Sequence, residues 1–331
     1  MNAPTVLAGI ELADPALAAR VATGLARVEE VLEREMSSEF DFVTEAASHL
    51  MHAGGKRFRP LFTLVAAGVG PNPESEDIIT ASAVVELIHL ATLYHDDVMD
   101  EADLRRGAKS ANARWDNSIA ILTGDFLFAH ASRLVADLGP DAVRIIADTF
   151  AELVTGQTRE TVGPRAGADP IAHHLTVLDE KTAALIDTCA RYAGIFSGAS
   201  QAETAALRRF GRAVGVAFQI SDDIIDVASD ESGKTPGTDL REGVPTLPVF
   251  YTLADPTSDP RLVELVSGPI DSESELAEAV GLLRASSGLV QARATLDNYA
   301  STALDELGNL APSASRDALV SLTHFVVART R

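Results

Sequence analysis

Two acidic clusters in the sequence share the pattern Asp-Asp-apolar-apolar-Asp, and each follows a long apolar stretch. Their residues are Asp96, Asp97, Asp100, Asp222, Asp223 and Asp226. Residues four apart share one face of a helix, so the first and last carboxylates of each cluster are expected to lie side by side. Mg²⁺ prefers carboxylate and phosphate oxygens and keeps several waters. The clusters therefore predict two Mg²⁺ sites that face each other across one cavity and hold a polyphosphate ligand.

The placement of these carboxylates is unfavourable without a cation. Like charges four residues apart weaken a helix by about a few tenths of a kcal/mol, and Asp is a poor residue for a helix interior. The C-terminal end of a helix also carries the negative end of its dipole. A solvated acidic turn is the alternative interpretation of either cluster alone. Two copies, each behind a nearly all-apolar helix, favour metal binding.

Three cations fall within four residues directly after a pair of glycines. Lys56, Arg57 and Arg59 follow Gly54-Gly55, and Pro60 comes next. Glycines let backbone N–H groups approach an anion closely, and the N-terminus of a helix that begins near Pro60 favours negative charge. The segment predicts a diphosphate cradle that is not a Walker A loop. A solvated basic turn is the alternative.

Other polar residues could complete the two sites. Arg105 and Arg106 closely follow the first cluster, and arginine suits phosphate oxygens. Lys181 with Thr182 interrupts an apolar stretch, and Lys234 follows the second cluster. His89 precedes Asp96 by two helical turns on the same face, which favours a phosphate contact over a histidine satisfied within the core.

The elements that must position these residues are helices. Apolar residues recur at helical spacing, and no segment shows sustained alternation, so we predict an all-α fold: a single large bundle of about ten or more helices. The segment 163–170 is the best linker candidate because of its Gly and Pro content. With 46% hydrophobic and 23% charged residues, the composition of the 331-residue chain excludes a disordered protein.

Charge and cysteine content exclude several classes of protein. The formal net charge of −21 predicts long-range repulsion of nucleic acid and of anionic lipid. The single cysteine, Cys189, cannot form an internal disulfide, which fits a reducing cytosol. We find neither a signal peptide nor an uninterrupted apolar stretch of about 18 residues, so a cytoplasmic location without a spanning helix is expected.

In this order, the motifs resemble the trans-polyprenyl diphosphate synthase family. The resemblance covers roughly residues 30 to 330, so we expect a single domain over 1–331, with less support for 1–30. It rests on Gly54–Pro60, His89, the first cluster with Arg105-Arg106-Gly107, Lys181-Thr182, Phe218–Asp223, Gly233-Lys234 and Gly237–Leu240. The family's fold implies an all-α bundle around a deep central cavity, usually as a homodimer.

The resemblance also implies an activity and its site residues. The family joins isopentenyl diphosphate head to tail to an allylic diphosphate, and its acidic clusters bind Mg²⁺ that bridges to the allylic diphosphate. Lys56, Arg59, His89 and Arg106 resemble the isopentenyl diphosphate contacts. Arg105, Lys181, Thr182, Gln219 and Lys234 resemble the allylic contacts. The six aspartates and Lys181 are the expected catalytic residues.

Product length is predicted from residues one turn before Asp96, which should face the growing chain. These are Ala91 and Thr92, both small. A bulky aromatic floor marks short products in the family, so we expect a long all-trans product of about C30 to C50, a precursor of a quinone side chain such as that of menaquinone. A shorter-chain geranylgeranyl diphosphate synthase is the alternative. A lipid-like product leaves peripheral membrane contact open.

Other readings remain. The chain could be the catalytic subunit of a heteromeric synthase; a non-catalytic subunit would tend to lack an acidic cluster, and both are present. A terpene cyclase is disfavoured because the second cluster ends in Asp226 and is followed by Asp230 rather than Glu. One departure from the family concerns 243–248, which lacks the lysine that many members carry there.

Overall fold

Helices account for most of the chain in a computed structural model, which describes residues 5–7, 10–228 and 237–330. The first half contains α1 (Pro15–Met36), α2 (Asp41–His52), α3 (Phe58–Ala66), α4 (Glu76–Met99), α5 (Ala111–Arg114), α6 (Asn117–Asp137) and α7 (Pro140–Val162). A 3₁₀ turn, Ala67–Val69, follows α3.

The second half continues in the same style. It contains α8 (Pro170–Leu178), α9 (Ala184–Ser197), α10 (Gln201–Ala228), α11 (Thr238–Glu242), α12 (Leu247–Ala254), α13 (Pro260–Leu265), α14 (Glu273–Arg284), α15 (Ser287–Gly308) and α16 (Ala314–Ala328). A π-helical turn, Asp179–Ala183, joins α8 to α9. The predicted all-α fold class is confirmed. The described part of the segment after the second cluster contains the six helices α11 to α16.

Two short antiparallel hairpins accompany the helices. Strand β1 (Thr5–Leu7) pairs with β2 (Ile10–Leu12), and β3 (Leu104–Arg105) pairs with β4 (Ala108–Lys109). Sequence periodicity cannot reveal strands of two or three residues, which is why neither hairpin was predicted. The second hairpin lies directly after the first acidic cluster.

The chain divides into two compact units. The first contains the described residues up to Ala151 together with Leu185–Arg208 and Asn309–Leu319. Helix α4 forms its centre and packs against α6, α3 and α1. Fourteen of the 24 residues of α4 are buried, on all sides of the helix, which matches its nearly unbroken apolar sequence.

The ends of α4 differ in how well they suit its dipole. Ser75 caps the N-terminus by accepting a hydrogen bond from the backbone N–H of Asp77, and Glu76 and Asp77 place negative charge in the first turn. The last turn contains no basic residue and holds the first acidic cluster instead. The C-terminal end of α4 is therefore electrostatically costly, and tertiary contacts must offset that cost.

The second unit contains Glu152–Ala184, the described part of Arg209–Gly308, and the residues from Val320 onward. Its apolar core gathers residues from the end of α10 and from α11 to α14, including Val227, Leu240, Val249 and Leu283. Helix α12 packs against α15 and α8. This packing places the second acidic cluster beside the N-termini of α11 and α12.

Two helices are long and apolar enough to cross a membrane by length and composition alone. They are α4 and α6, which differs from the expectation that no such stretch exists. In α4, 72% of the apolar window is buried inside the structure, as in the core helix of a folded unit, whereas in α6 the share is 39%. Ile121 and Leu122 of α6 are exposed.

Tyr94 fastens α4 to α2. Its buried hydroxyl donates to the carbonyl oxygen of Ala46 at 2.6 Å and accepts from the N–H of Leu50 at 3.2 Å.

We expect Tyr94→Phe to lower the free energy of unfolding by about 1–2 kcal/mol, because a buried acceptor loses its donor. Urea denaturation followed by circular dichroism measures this. Tyr251→Phe, which removes a half-buried hydroxyl that pairs with Thr295, should cost less. Equal midpoints for Tyr94→Phe and wild type would contradict the expectation.

Candidate active site

The three carboxylates of the first cluster have different surroundings. Asp97 is buried, with no exposed side-chain surface, and accepts a hydrogen bond from Nε of Arg105 at 2.6 Å. Burial raises the pKa of Asp97, while the Arg105 guanidinium opposes that rise. Asp96 is partly exposed, and Asp100 is exposed as the C-cap residue of α4. The cluster thus has one carboxylate paired inside the unit and two on its accessible side.

The hairpin β3–β4 carries both arginines that follow this cluster. Arg106 and Gly107 form its two-residue turn with φ values of 55° and 78°, a left-handed pair that suits a tight hairpin. Arg105 turns back to Asp97, as described. Nη1 of Arg106 donates to the carbonyl oxygens of Leu50, at 2.9 Å, and Gly54. The turn therefore ties the glycine-rich loop to the end of α4.

The loop before α3 adopts backbone conformations that require its glycines. Gly54 and Gly55 have φ values of 110° and 149°, and Arg57 is left-handed at 48°. A Cβ atom on Gly55 would lie 2.6 Å from Nη1 of Arg57 and 2.8 Å from Nη1 of Arg106. A side chain at Gly55 would therefore displace the two guanidinium groups that converge there.

Two guanidinium N–H groups, one from this loop and one from the first turn of α3, are buried without a hydrogen-bond partner in the described part of the chain. They belong to Nη1 of Arg57 and Nε of Arg59. Burial lowers the pKa of Arg59, as it does that of Arg106, and Glu86 counteracts both shifts. Donors of this kind are costly unless an acceptor arrives. The arrangement suits an anion with several oxygens.

His89 and Glu86 of α4 lie within the field of the same arginines. Burial lowers the pKa of His89 well below its usual range, and the charges of Arg59, Arg106, Arg105 and Arg57 add to this. His89 is therefore neutral at pH 7 and can donate a hydrogen bond from an imidazole N–H. The predicted residues Arg59, His89 and Arg106 thus come together, whereas Lys56 is exposed.

Sequence reasoning missed Glu86, which is 2% exposed. Its Oε1 lies 3.8 Å from Nη1 of Arg57. Burial raises the pKa of Glu86, and Arg59, Arg57 and Arg106 oppose the rise. A glutamate within an otherwise apolar helix was the available signal, because such a charge is rarely buried without partners.

The second cluster lies in the second unit, and each of its three carboxylates has a polar partner. Nη2 of Arg329 lies 2.9 Å from Oδ1 of Asp222. Oδ2 of Asp223, which is 5% exposed, lies 2.9 Å from Nε2 of His174 and accepts from the N–H of Leu247 at 3.3 Å. The carboxylate of Asp226 accepts from the N–H groups of Thr238 and Asp239, at 3.2 and 3.3 Å.

Only some of the residues predicted as allylic contacts lie close to one another. Oγ1 of Thr182 lies 3.4 Å from Oε1 of Gln219, while Lys181 pairs with Glu160. Arg105 is paired with Asp97 in the first unit. Lys234 lies outside the described residues.

The unpredicted π-helical turn carries Lys181 and Thr182. Such turns often occur at functional sites. A Cβ on Gly156 of α7 would lie 2.7 Å from the backbone N of Lys181, so α7 approaches the turn closely only because residue 156 is glycine.

The two small residues before the first cluster differ in exposure. Ala91 is 1% exposed. Thr92 is partly exposed, and its hydroxyl donates to the carbonyl oxygen of His89 at 2.8 Å. A polar side chain that satisfies itself within the helix presents mainly its methyl group to the surroundings.

Within the described residues, no group of three or more His, Cys, Asp or Glu side chains is arranged to hold a metal ion. The chemistry of the donors still fits a hard divalent cation, because Mg²⁺ is commonly bound by one or two carboxylates together with substrate phosphates and water. Asp96 and Asp100 supply such a pair. One buried oxygen of Asp97, Oδ2, is without a hydrogen-bond partner in the described residues and adds negative potential there.

Asp97→Asn should stabilise the metal-free protein relative to Asp100→Asn. The first change removes a buried negative charge that the fold disfavours, as the raised pKa of Asp97 indicates, and the amide oxygen can still accept the hydrogen bond from Arg105. The second changes an exposed residue, with an effect of about 0.5 kcal/mol or less. Thermal unfolding in the presence of a chelator measures both. Equal melting temperatures for the two variants would contradict this assignment.

Comparison with protein families gives one long match: residues 41–283 match the family model described as polyprenyl synthetase. The chain is 53% identical over 328 residues to a nonaprenyl diphosphate synthase of Mycobacterium tuberculosis, covering 98% of each chain. It is 42% identical over 323 residues to a dimethylallyltranstransferase of the same organism, covering 97% of this chain and 99% of that one.

A solved structure is similarly close. The geranylgeranyl pyrophosphate synthase of Corynebacterium glutamicum, in complex with calcium and isoprenyl diphosphate, is 48% identical and superposes with a TM-score of 0.88, covering 97% of this chain and 99% of that one. Family match, identity and fold agree over nearly the whole length. The chain belongs to the polyprenyl synthetase family and is a prenyltransferase that makes polyprenyl diphosphates.

Proposed function

We propose that the chain condenses isopentenyl diphosphate with an allylic diphosphate in successive head-to-tail additions, giving a long all-trans polyprenyl diphosphate of about C30 to C50. One observation carries this: α4 presents Asp96 and Asp100 at its end, and His89 lies two turns earlier among partly buried arginines. A metal-binding carboxylate pair and an anion-binding group thus share one rigid helix. Head-to-tail condensation of two diphosphates needs both.

Isopentenyl diphosphate is assigned to the arginine cluster. Arg59 and Arg106, with His89 as a neutral donor and Lys56 at the exposed rim, supply N–H groups for its phosphate oxygens. The buried N–H groups of Arg57 and Arg59 that have no hydrogen-bond partner in the described residues support this. An anion bound there satisfies donors whose burial is otherwise costly.

The allylic diphosphate is assigned to the acidic clusters, which we propose hold Mg²⁺. Arg105 is proposed to serve the first cluster, and Lys181, Thr182, Gln219 and Lys234 the second. Support comes from the similar synthase solved with calcium and isoprenyl diphosphate. When bound, the divalent cation neutralises the leaving diphosphate.

The chain's own residues then govern the reaction. Lysine and arginine groups around the allylic diphosphate stabilise the charge that develops on it as the carbon–oxygen bond breaks. The isopentenyl double bond attacks the resulting allylic cation, and a proton leaves to the released diphosphate. Apolar residues of the helices that end in each cluster exclude water, which would otherwise trap the cation.

A shorter product is the second candidate. The similar structure from Corynebacterium glutamicum is a geranylgeranyl pyrophosphate synthase, whereas the relative at 53% identity is a nonaprenyl diphosphate synthase. We favour the long product because Ala91 and Thr92 leave no aromatic floor one turn before Asp96.

The setting of the enzyme follows from its chemistry. We propose a single-domain cytoplasmic homodimer that supplies the side chain of a quinone such as menaquinone and releases its lipid-like product at a membrane surface. Ile121 and Leu122 of α6, with 44% and 62% of their surfaces exposed, are consistent with a partner covering that helix.

Asp96→Ala should reduce turnover of isopentenyl and farnesyl diphosphates by about a hundredfold or more, since a metal ligand at the leaving group contributes several kcal/mol to transition-state stabilisation. Radiolabelled isopentenyl diphosphate measures the rate. Asp103→Ala, which changes an exposed aspartate outside the cluster, should leave the rate near that of wild type. Near-normal turnover by Asp96→Ala would refute the metal assignment.

Ala91→Phe should shorten the product while Ala91→Ser leaves its length unchanged, because only the aromatic ring blocks the path of the growing chain. Dephosphorylated products sized by mass spectrometry distinguish the two variants. Since Ala91 is buried, the melting temperature of each variant is compared with that of wild type. An unchanged product length in a folded Ala91→Phe protein would mean that Ala91 does not line this path.

A further inference from the structure

Arg329, which follows α16, makes contacts to α10 that do not involve Asp222. Its Nε donates to Oγ of Ser221 at 2.6 Å, and its Nη2 donates to the carbonyl oxygen of Phe218 at 2.8 Å. Its guanidinium carbon lies 4.1 Å from the centre of the Phe218 ring. Ser221 is itself fixed, because its hydroxyl donates to the carbonyl oxygen of Val326 at 3.0 Å.

These contacts hold the guanidinium of Arg329 in one position. Its side chain is 18% exposed, whereas that of Asp222 is 44% exposed. The distance between Nη2 of Arg329 and Oδ1 of Asp222 is 2.9 Å. Because Arg329 is retained by the backbone, a hydroxyl and a ring, the carboxylate is the partner whose orientation depends on the pair.

We propose that Arg329 is a positioning residue of the second acidic cluster: it holds Asp222 in the orientation in which the carboxylate binds a divalent cation. The inference rests on the proposed function, which places metal at this cluster. Residues that hydrogen-bond to a metal ligand fix its orientation, and their loss typically reduces metal affinity by about 10- to 100-fold. Arg329 was not a candidate in the sequence analysis.

The opposite role would be competition, in which the arginine neutralises Asp222 and must be displaced by the metal. The two roles predict opposite signs. Removing a positioning residue weakens metal binding, whereas removing a competitor strengthens it. The contacts to Ser221 and Phe218 favour positioning, because they keep the guanidinium in place whether or not the carboxylate is engaged.

The test measures Mn²⁺ binding to the full chain by calorimetry, with inorganic diphosphate present as a probe. We expect Arg329→Gln to raise the apparent dissociation constant about tenfold. Arg329→Lys keeps the charge but loses the planar fork that bonds two acceptors, so it should recover only part of the affinity. Ser221→Ala, which removes one support of the guanidinium, should cause a smaller loss in the same direction.

Arg293→Gln is the matched control. Nη2 of Arg293 donates to the carbonyl oxygen of Thr330 at 3.0 Å, so this variant loosens the same segment without touching the cluster. It should bind Mn²⁺ like wild type. Circular dichroism and thermal unfolding of each metal-free variant establish that it is folded, and Ser221→Ala serves as the milder variant if Arg329→Gln does not fold.

Each other outcome is decisive. Wild-type affinity or tighter binding in Arg329→Gln overturns the positioning role, and an equal loss in Arg293→Gln shows that the effect comes from detachment of the segment. If wild-type protein binds no Mn²⁺ even with diphosphate, the proposed metal site fails before the inference is reached. Loss of binding in Arg329→Gln alone supports the proposal.

Discussion

The mutual repulsion of carboxylates at the ends of apolar helices is the constraint on which this structure depends. Helix α4 ends in three aspartates with no basic residue in its last turn, and the negative end of the helix dipole adds to the cost. The protein offsets part of this internally: Arg105 pairs with Asp97 from the neighbouring hairpin. What remains accessible, Asp96 and Asp100, is the pair best suited to a cation.

The same constraint is met differently in the second cluster. Arg329 engages Asp222, His174 and the N–H group at the start of α12 engage Asp223, and N–H groups at the start of α11 engage Asp226. The negative charge of the second cluster therefore interacts with several partners and is not neutralised by a single lysine or arginine. The partly buried arginines around His89 present the converse situation, in which Glu86 is the internal counter-charge for a surplus of cations.

The sequence predicted the features that depend on residues close together along the chain. The helical spacing of apolar residues predicted the all-α class, and the repeated aspartate pattern identified both acidic clusters. The glycine pair before Lys56 was predicted to let backbone N–H groups approach an anion, and both glycines have positive φ values. Contacts between residues distant along the chain could not be predicted, because His174 and Asp223, or Arg329 and Asp222, meet only through tertiary packing. The π-helical turn at Lys181 was not predicted either, and α7 passes close to it at Gly156.

Product length is the central claim, because the relatives of this chain include both a nonaprenyl diphosphate synthase and a geranylgeranyl pyrophosphate synthase. The most direct test sizes the products of the purified wild-type protein given Mg²⁺, labelled isopentenyl diphosphate and, separately, geranyl, farnesyl and geranylgeranyl diphosphate. The account predicts an all-trans ladder that ends beyond C20 with each accepted primer. A product that stops at C20 would contradict the proposed role of Ala91 and Thr92 in product length, and no product from folded protein would contradict an enzyme that acts alone.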